Sequence, residues 1–395
     1  MPTRTGVIDS GRHLPALDGL RGVAILLVVL FHHTLIGQPT LVDRVYVSVA
    51  RLGWIGVDLF FVLSGFLITG ILYDAKGGPH YYRNFYARRT LRIFPLYYAF
   101  VFFTLTVAPW LWPGTELGRV VGRANEEHGQ LWYWFYLSNL HFAQEQGFPQ
   151  PNLAVTWSLA IEEQFYLVWP IVVAALARRP LMWTCGALAV VALAVRTGFV
   201  LSGADATAAY MLPFCRTDAL AAGAFVALAL RDSGDTASIR GWAPFVAAAA
   251  AGVFLVGWYM EEPFDNGTWE KPGMQTAGYT LLALTFGALL ALVALDVVPG
   301  LSRALRAPIL RVFGKYSYAL YLFHIPVRRF IRDEYFPVAD FPSWMGSPLP
   351  GQLVFYVVTT APAFLLAWLS WHLLERRALA LKRFLPYGRA APPAA

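Results

Sequence analysis

Charge is what this sequence has least of. Only 14% of its 395 residues are Asp, Glu, Lys or Arg, against 57% hydrophobic, whereas an ordinary soluble domain carries roughly 25% charged residues. That shortage excludes a soluble globular chain. Cysteine is almost absent: Cys185 and Cys215 sit in apolar stretches without metal-ligand spacing, which excludes a cysteine metal centre and leaves them as packing side chains. No internal repeat, long linker or second soluble domain is visible. Nor is there the weak apolar–polar alternation of a membrane β-barrel. The net charge of +7 is spread over short loops with no nucleic-acid-binding module, so no nucleic-acid partner is expected. A cleavable signal peptide is not expected either, because the small residues at Val47–Ala50 lie far beyond the first apolar core.

What remains is a succession of apolar windows, each near the roughly 20 residues a helix needs to cross about 30 Å of hydrocarbon. They fall at about 20–37, 53–73, 91–111, 156–177, 181–201, 210–230, 242–260, 276–296, 316–331 and 352–374. The expectation is an all-α polytopic membrane protein of about ten transmembrane helices, one membrane domain over 1–395, with a core at about 14–377 and a tail at 378–395. The aromatic stretch QLWYWFYLSNL, Gln130–Leu140, reads as an interfacial or half-inserted helix. Lys and Arg gather in alternate loops: Arg4 to Arg21, Lys76 to Arg92, Arg178 and Arg179, Arg231 and Arg240, Arg303 to Lys315, and the tail. Cytoplasmic loops retain such residues, which predicts an N-in, C-in topology with the acidic loop EEPFDNGTWE, Glu261–Glu270, outside.

Ionisable groups inside spans are costly and mark pathways or reactive sites. Arg21 and His32 lie roughly 16 Å apart along the first helix and on nearly one face, as the two ends of a cleft would. A snorkelling arginine and a hydrogen-bonded structural histidine would give the same pattern. In FYARRTLRIFP, Arg88, Arg89 and Arg92 share a helical face and form a cationic fork suited to phosphate, although cytoplasmic charge bias alone also puts arginines there. In TWSLAIEEQFYLVWP, Glu162 can turn inward toward His32 while Glu163 stays at the aqueous boundary. Asp58 in GVDLFFVLSGF needs a partner in hydrocarbon; Ser64 and Gly65 lie at the middle of that span, where small residues often serve only packing. Arg216 and Asp218 are two apart, so each is expected to contact another helix. His324 reads as structural.

These segments in this order resemble the acyltransferase-3 family of integral membrane O-acyltransferases, which modify carbohydrates, peptidoglycan, lipopolysaccharide and macrolides. The resemblance runs from LPALDGLRG to about Arg377 and rests on LDGLRGVAILLVVLFHH, GVDLFFVLSGFLI, ARRTLRIFPLYY, TWSLAIEEQFYLVWP, CRTDALAAG and FGKYSYALYLFHIP. It implies that the arginine–ten residues–histidine pattern is Arg21 and His32, not His33. It also implies that the arginine cluster is Arg88, Arg89 and Arg92, and that the motif glutamate is Glu162. Many relatives carry an appended esterase-like domain; this sequence resembles the standalone form.

The resemblance implies an acyl-CoA donor, with acetyl as the acyl group by family frequency, and no metal. Its phosphates are expected on Arg88, Arg89 and Arg92 with Arg21, and its pantetheine arm past Ser64 and Gly65. His32 is expected as general base, oriented by Glu162, with Asp58, Trp157, Ser158, Arg216 and Asp218 supporting. The acceptor is expected to be an extracytoplasmic carbohydrate or glycoconjugate at the bacterial inner membrane, or else a macrolide-like small molecule. A proton-coupled transporter using His32, Glu162, Asp58 and Arg216 as a relay is the competing class.

Overall fold

In the computed structural model, residues 14–115, 118, 129–260 and 270–386 are described. Arg4, Arg12, almost all of the acidic loop and the last residues of the tail lie outside them. The elements are helical: α1 (Pro15–His33), α2 (Leu41–Arg51), α3 (Gly56–Ala75), α4 (Tyr81–Phe102), α5 (Gln130–Trp134), α6 (Ser138–Gln144), α7 (Thr156–Ala175), α8 (Arg178–Leu201), α9 (Pro213–Ala229), α10 (Ser233–Met260), α11 (Tyr279–Ala294), α12 (Pro308–Glu334) and α13 (Leu349–Ser370), with shorter turns between them. Among the described residues nine helices are long and apolar enough to cross a membrane. The tenth expected span lies within α12, which has 27 residues, ample for the roughly 40 Å that they cover. Charged residues at both of its ends, from Arg311 to Glu334, keep it below the apolarity of the other nine.

Two boundaries differ usefully from the sequence expectation. Helix α4 begins at Tyr81, well before the apolar run, because its arginines can extend from a helix while their stems stay on apolar surface. The segment before α3 forms α2, opened by a capping box in which Thr40 and Asp43 bond each other's backbone N–H. The stretch Gln130–Leu140 becomes α5 and the start of α6, folded against the bundle. Tyr97 donates to the Tyr133 carbonyl at 2.8 Å and Gln164 to the Tyr136 carbonyl at 2.9 Å.

Glycines set two close helix crossings. A Cβ on Gly22 would lie 2.0 Å from the Leu310 carbonyl oxygen, and one on Gly314 would lie 1.9 Å from that of Asp18. The motifs LDGLRG and FGKYSY are thus the two halves of one backbone contact between α1 and α12. The second crossing pairs α3 with α9: a Cβ on Gly65 would lie 1.9 Å from the Leu220 oxygen, and one on Gly223 1.9 Å from that of Val62. Close approach through small residues is how membrane helices gain packing where lipid is as apolar as the protein.

Gly65→Ala therefore forces backbone apart and is expected to destabilise the folded protein by about 1–3 kcal/mol or more. Gly186→Ala, where an added Cβ meets nothing within 4 Å among the described residues, is expected to be tolerated. Thermal unfolding of the two purified variants in one detergent checks the contrast, and equal melting temperatures would refute it.

Candidate active site

The helices α1, α3, α4, α7 and α12 enclose a cavity of about 120 Å³ whose polar lining comprises Arg21, Ser64, Arg89, Arg92, Ser158, Glu162, Tyr166, Ser317, Tyr318 and Tyr321. Arg21, Arg89 and Arg92 lie within electrostatic reach of one another. Tertiary structure thus joins a residue from the first helix to the cationic face of α4, as the sequence suggested. The Arg89 guanidinium stacks 5.3 Å from the Tyr166 ring centroid, and that of Arg92 5.8 Å from Trp371, arrangements that hold a planar cation over an aromatic face. The Ser64 and Tyr166 hydroxyls bond each other.

Three expected site residues are placed otherwise. Gly65 does not line the cavity; it is consumed by the helix crossing described above. Arg88 does not line the cavity; it donates from Nη1 to the carbonyls of Lys382 at 3.3 Å and Leu385 at 2.8 Å. Glu162 faces the Ser64 and Tyr166 hydroxyls and the Arg89 and Arg21 charges, which supply the donors that a buried carboxylate requires. It is not the partner of His32. Glu163, expected at the aqueous boundary, has a buried carboxylate oxygen with no hydrogen-bond partner among the described residues.

His32 instead meets His324, which sequence reasoning left as structural. His324 Nε2 lies 3.2 Å from His32 Nδ1. The rings are 4.9 Å apart between centroids. Backbone carbonyls fix the tautomers. His324 Nδ1 faces the Tyr321 carbonyl at 2.8 Å, and His32 Nδ1 the Val28 carbonyl at 3.0 Å. A carbonyl only accepts, so each Nδ1 carries hydrogen. His324 Nε2 is then the acceptor for His32 N–H, and His32 Nε2 is left as a basic nitrogen. The neighbouring His33 is engaged elsewhere, 2.9 Å from the Thr359 hydroxyl. Arg328 donates to the His32 carbonyl and so caps the end of α1. The signal for the pair was the equal ten-residue step from Gly22 to His32 and from Gly314 to His324, about 15 Å along two parallel helices.

The cavity stops short of this pair. Tyr321 lines the cavity and its ring centroid is 5.7 Å from that of His324; its hydroxyl is 2.6 Å from that of Ser158. Phe60 meets the same ring edge-on at 6.1 Å. One aromatic layer separates the cationic chamber from the imidazoles.

The remaining buried charges form a scaffold beside the site. Arg216 pairs with Asp58 at 2.7 Å and Arg196 with Asp218 at 2.8 Å, all four side chains almost wholly buried. Thr280 donates to Asp218 at 3.0 Å, and the Arg216 guanidinium lies 3.9 Å from the centroid of the Tyr279 ring. Trp157 packs on Tyr210 at 4.5 Å and edge-on to Phe61 at 6.1 Å. Neither Asp58 nor Arg216 touches the cavity; they tie α3 to α9. No cluster of metal-ligating residues occurs among the described residues.

A helical membrane bundle with a cation-lined chamber set against a buried imidazole pair is the class these features define. The chain belongs to the acyltransferase-3 family, whose profile, described as an acyltransferase domain, matches residues 14–372. It is similar to YrhL of Bacillus subtilis (strain 168), 30% identical over 381 residues that cover 92% of this chain and 55% of YrhL. It is also similar to the O-acetyltransferase OatA of Staphylococcus aureus (strain NCTC 8325 / PS 47), 28% identical over 360 residues covering 82% of this chain and 52% of OatA. The peptidoglycan O-acetyltransferase OatA of Listeria monocytogenes is 35% identical over 164 residues, 41% of this chain and 24% of that protein. The chain spans about half the length of YrhL and of the staphylococcal OatA. No solved structure matches it.

Removing one member of the buried Asp58–Arg216 pair leaves an uncompensated charge. Asp58→Ala is expected to cost about 3–5 kcal/mol, and Asp58→Leu combined with Arg216→Met much less. Unfolding of the single and double variants in detergent measures this; a double variant as unstable as the single one would refute the scaffold role.

Proposed function

We propose that this protein is a multi-pass O-acyltransferase of the bacterial inner membrane that moves an acyl group, most simply acetyl, from cytoplasmic acyl-CoA to a hydroxyl on an extracytoplasmic glycan. The observation that carries the reading is the cationic chamber ending one aromatic layer from the His32–His324 pair. The topology is N-in and C-in, so the end bearing Arg21, Arg89 and Arg92 faces the cytoplasm, where acyl-CoA is made. The phosphates rest on these arginines, and the pantetheine arm passes Ser64 and Glu162 toward Tyr321. The rings of Tyr321 and Phe60 swing aside to admit the thioester to His32. Support for a glycan acceptor comes from the names of the OatA relatives, one of which is a peptidoglycan O-acetyltransferase.

In the transfer step the acceptor hydroxyl gives its proton to His32 Nε2 as its oxygen attacks the thioester carbonyl. The carbon–sulfur bond then breaks, and the departing sulfur takes the proton back from the imidazolium. The products are an ester and a thiol. His324 Nε2 accepts from the His32 N–H throughout, so it positions the ring and stabilises its charged form, the part that sequence reasoning gave to Glu162.

Inverted membrane vesicles that enclose peptidoglycan fragments in the lumen and are given acetyl-labelled acetyl-CoA outside are expected to yield labelled glycan. Uptake of label without modification would instead identify a transporter. His32→Ala is expected to lower transfer about 10²–10⁴-fold at unchanged protein level, and retained activity would remove the base. Arg89→Gln and Arg92→Gln should raise the donor KM more than they lower kcat; the reverse pattern would count against phosphate binding.

A further inference from the structure

The basic end of the bundle holds a contact that the transfer chemistry does not use. After α13 the chain turns through Leu381–Phe384 and lies against α4. Two side chains on α4 hold the turn. Arg88 donates to the carbonyls of Lys382 and Leu385, at 3.3 Å and 2.8 Å. Asn84, itself buried, donates from Nδ2 to the Pro386 carbonyl at 2.7 Å. An arginine spent on two main-chain oxygens is unavailable to a ligand through that nitrogen, yet the turn it anchors delivers another cation. The Lys382 ammonium lies within electrostatic reach of Arg89, Arg92 and Arg88, and Arg92 and Arg89 reach Arg21. Glu375 is the carboxylate facing Arg92 from the same terminal segment. The cations of this end therefore run as a continuous series from Lys382 through Arg89 and Arg92 to Arg21. Bringing an ammonium up to guanidinium groups is unfavourable unless anions offset the repulsion; Glu162, Glu163 and Glu375 offset part of it, and the cations left in excess, Arg88 beside them, suit a ligand that brings phosphate charge.

We propose that the turn Leu381–Phe384 completes the donor-phosphate site, with Lys382 as a direct ligand for a diphosphate-bearing nucleotide and Arg88 as the positioning residue that holds the turn. This rests on the acyl-CoA reading given above. It differs from the sequence expectation, in which Arg88 itself binds phosphate. The set that grips the ligand is Arg21, Arg89, Arg92 and Lys382, and the neighbouring Arg383, exposed and stacked 4.6 Å from the Phe384 ring centroid, takes no part.

The test is calorimetric binding of coenzyme A, and separately of inorganic pyrophosphate, to the full chain in nanodiscs. Lys382→Gln is expected to weaken both ligands about tenfold, the loss of one charge-assisted hydrogen bond. Lys382→Arg should retain binding and Arg383→Gln should leave it unchanged. Arg88→Gln should weaken binding in the wild-type background and add little to Lys382→Gln, since it acts through the same turn. A melting temperature equal to wild type in Lys382→Gln separates ligand loss from misfolding. Coenzyme A binding equally well to Lys382→Gln and wild type would overturn the proposal while leaving the donor reading intact. Fully additive losses in the double variant would overturn the positioning role of Arg88. Pyrophosphate bound in a Lys382-dependent way without coenzyme A binding would retire the donor reading and keep the anion site. Binding of neither ligand would overturn both.

Discussion

The contact of α1 with α12, backbone against backbone, is the constraint on which the rest of the structure depends. A membrane offers little hydrophobic drive for one helix to choose another, so the choice is made by shape, and here by glycines whose missing side chains let carbonyl oxygens approach. Once Gly22 and Gly314 are in register, the parallel course of the two helices carries that register outward. Arg21 is turned into the chamber at one end and His32 is laid against His324 at the other. The chamber and the imidazole pair are therefore set by one packing contact at two depths.

Charge inside the bundle is divided into two kinds of place. Beside the chamber, Asp58 with Arg216 and Asp218 with Arg196 neutralise one another across helices and are walled by Tyr279, Tyr210 and Phe61. Such pairs fix which helices meet, and their desolvation leaves little net gain beyond that. In the chamber the balance is different. Arginines from α1 and α4 gather around Glu162, with Glu163 and Glu375 near its margins, and a series of cations continues to the basic end. Structural charges are closed in pairs, whereas those of the chamber are gathered as a cluster.

Much of this was legible in the sequence because hydrocarbon imposes simple rules. Spans follow from apolar length, and the helices of the structure fall on all ten expected windows. The residues that line the chamber, Arg21, Ser64, Arg89, Arg92, Ser158 and Glu162, were legible as titratable or polar groups where lipid would not tolerate them. What failed was partnership. Glu162 was assigned to His32 because both lie toward one end of their helices, but height along the membrane does not fix azimuth, and α7 turns this carboxylate to Ser64 and the arginines. His324 was passed over because one histidine among aromatics carries no local signal; its meaning lies in a second helix with equal spacing. Gly65 and Arg88 take other contacts in the structure for a related reason. A glycine can serve a ligand or a neighbouring backbone, and an arginine a phosphate or a carbonyl, and only the fold says which.

The link between Arg88 and the carbonyl of Leu385 joins residues 297 apart, which has a consequence in time as well as in space. A ribosome that has just released Arg88 has still to make every later span before the turn that rests on it exists. The basic end of the chamber is thus assembled last, after the rest of the bundle has entered the bilayer. An unfinished chain, however well inserted, lacks the contact that closes it.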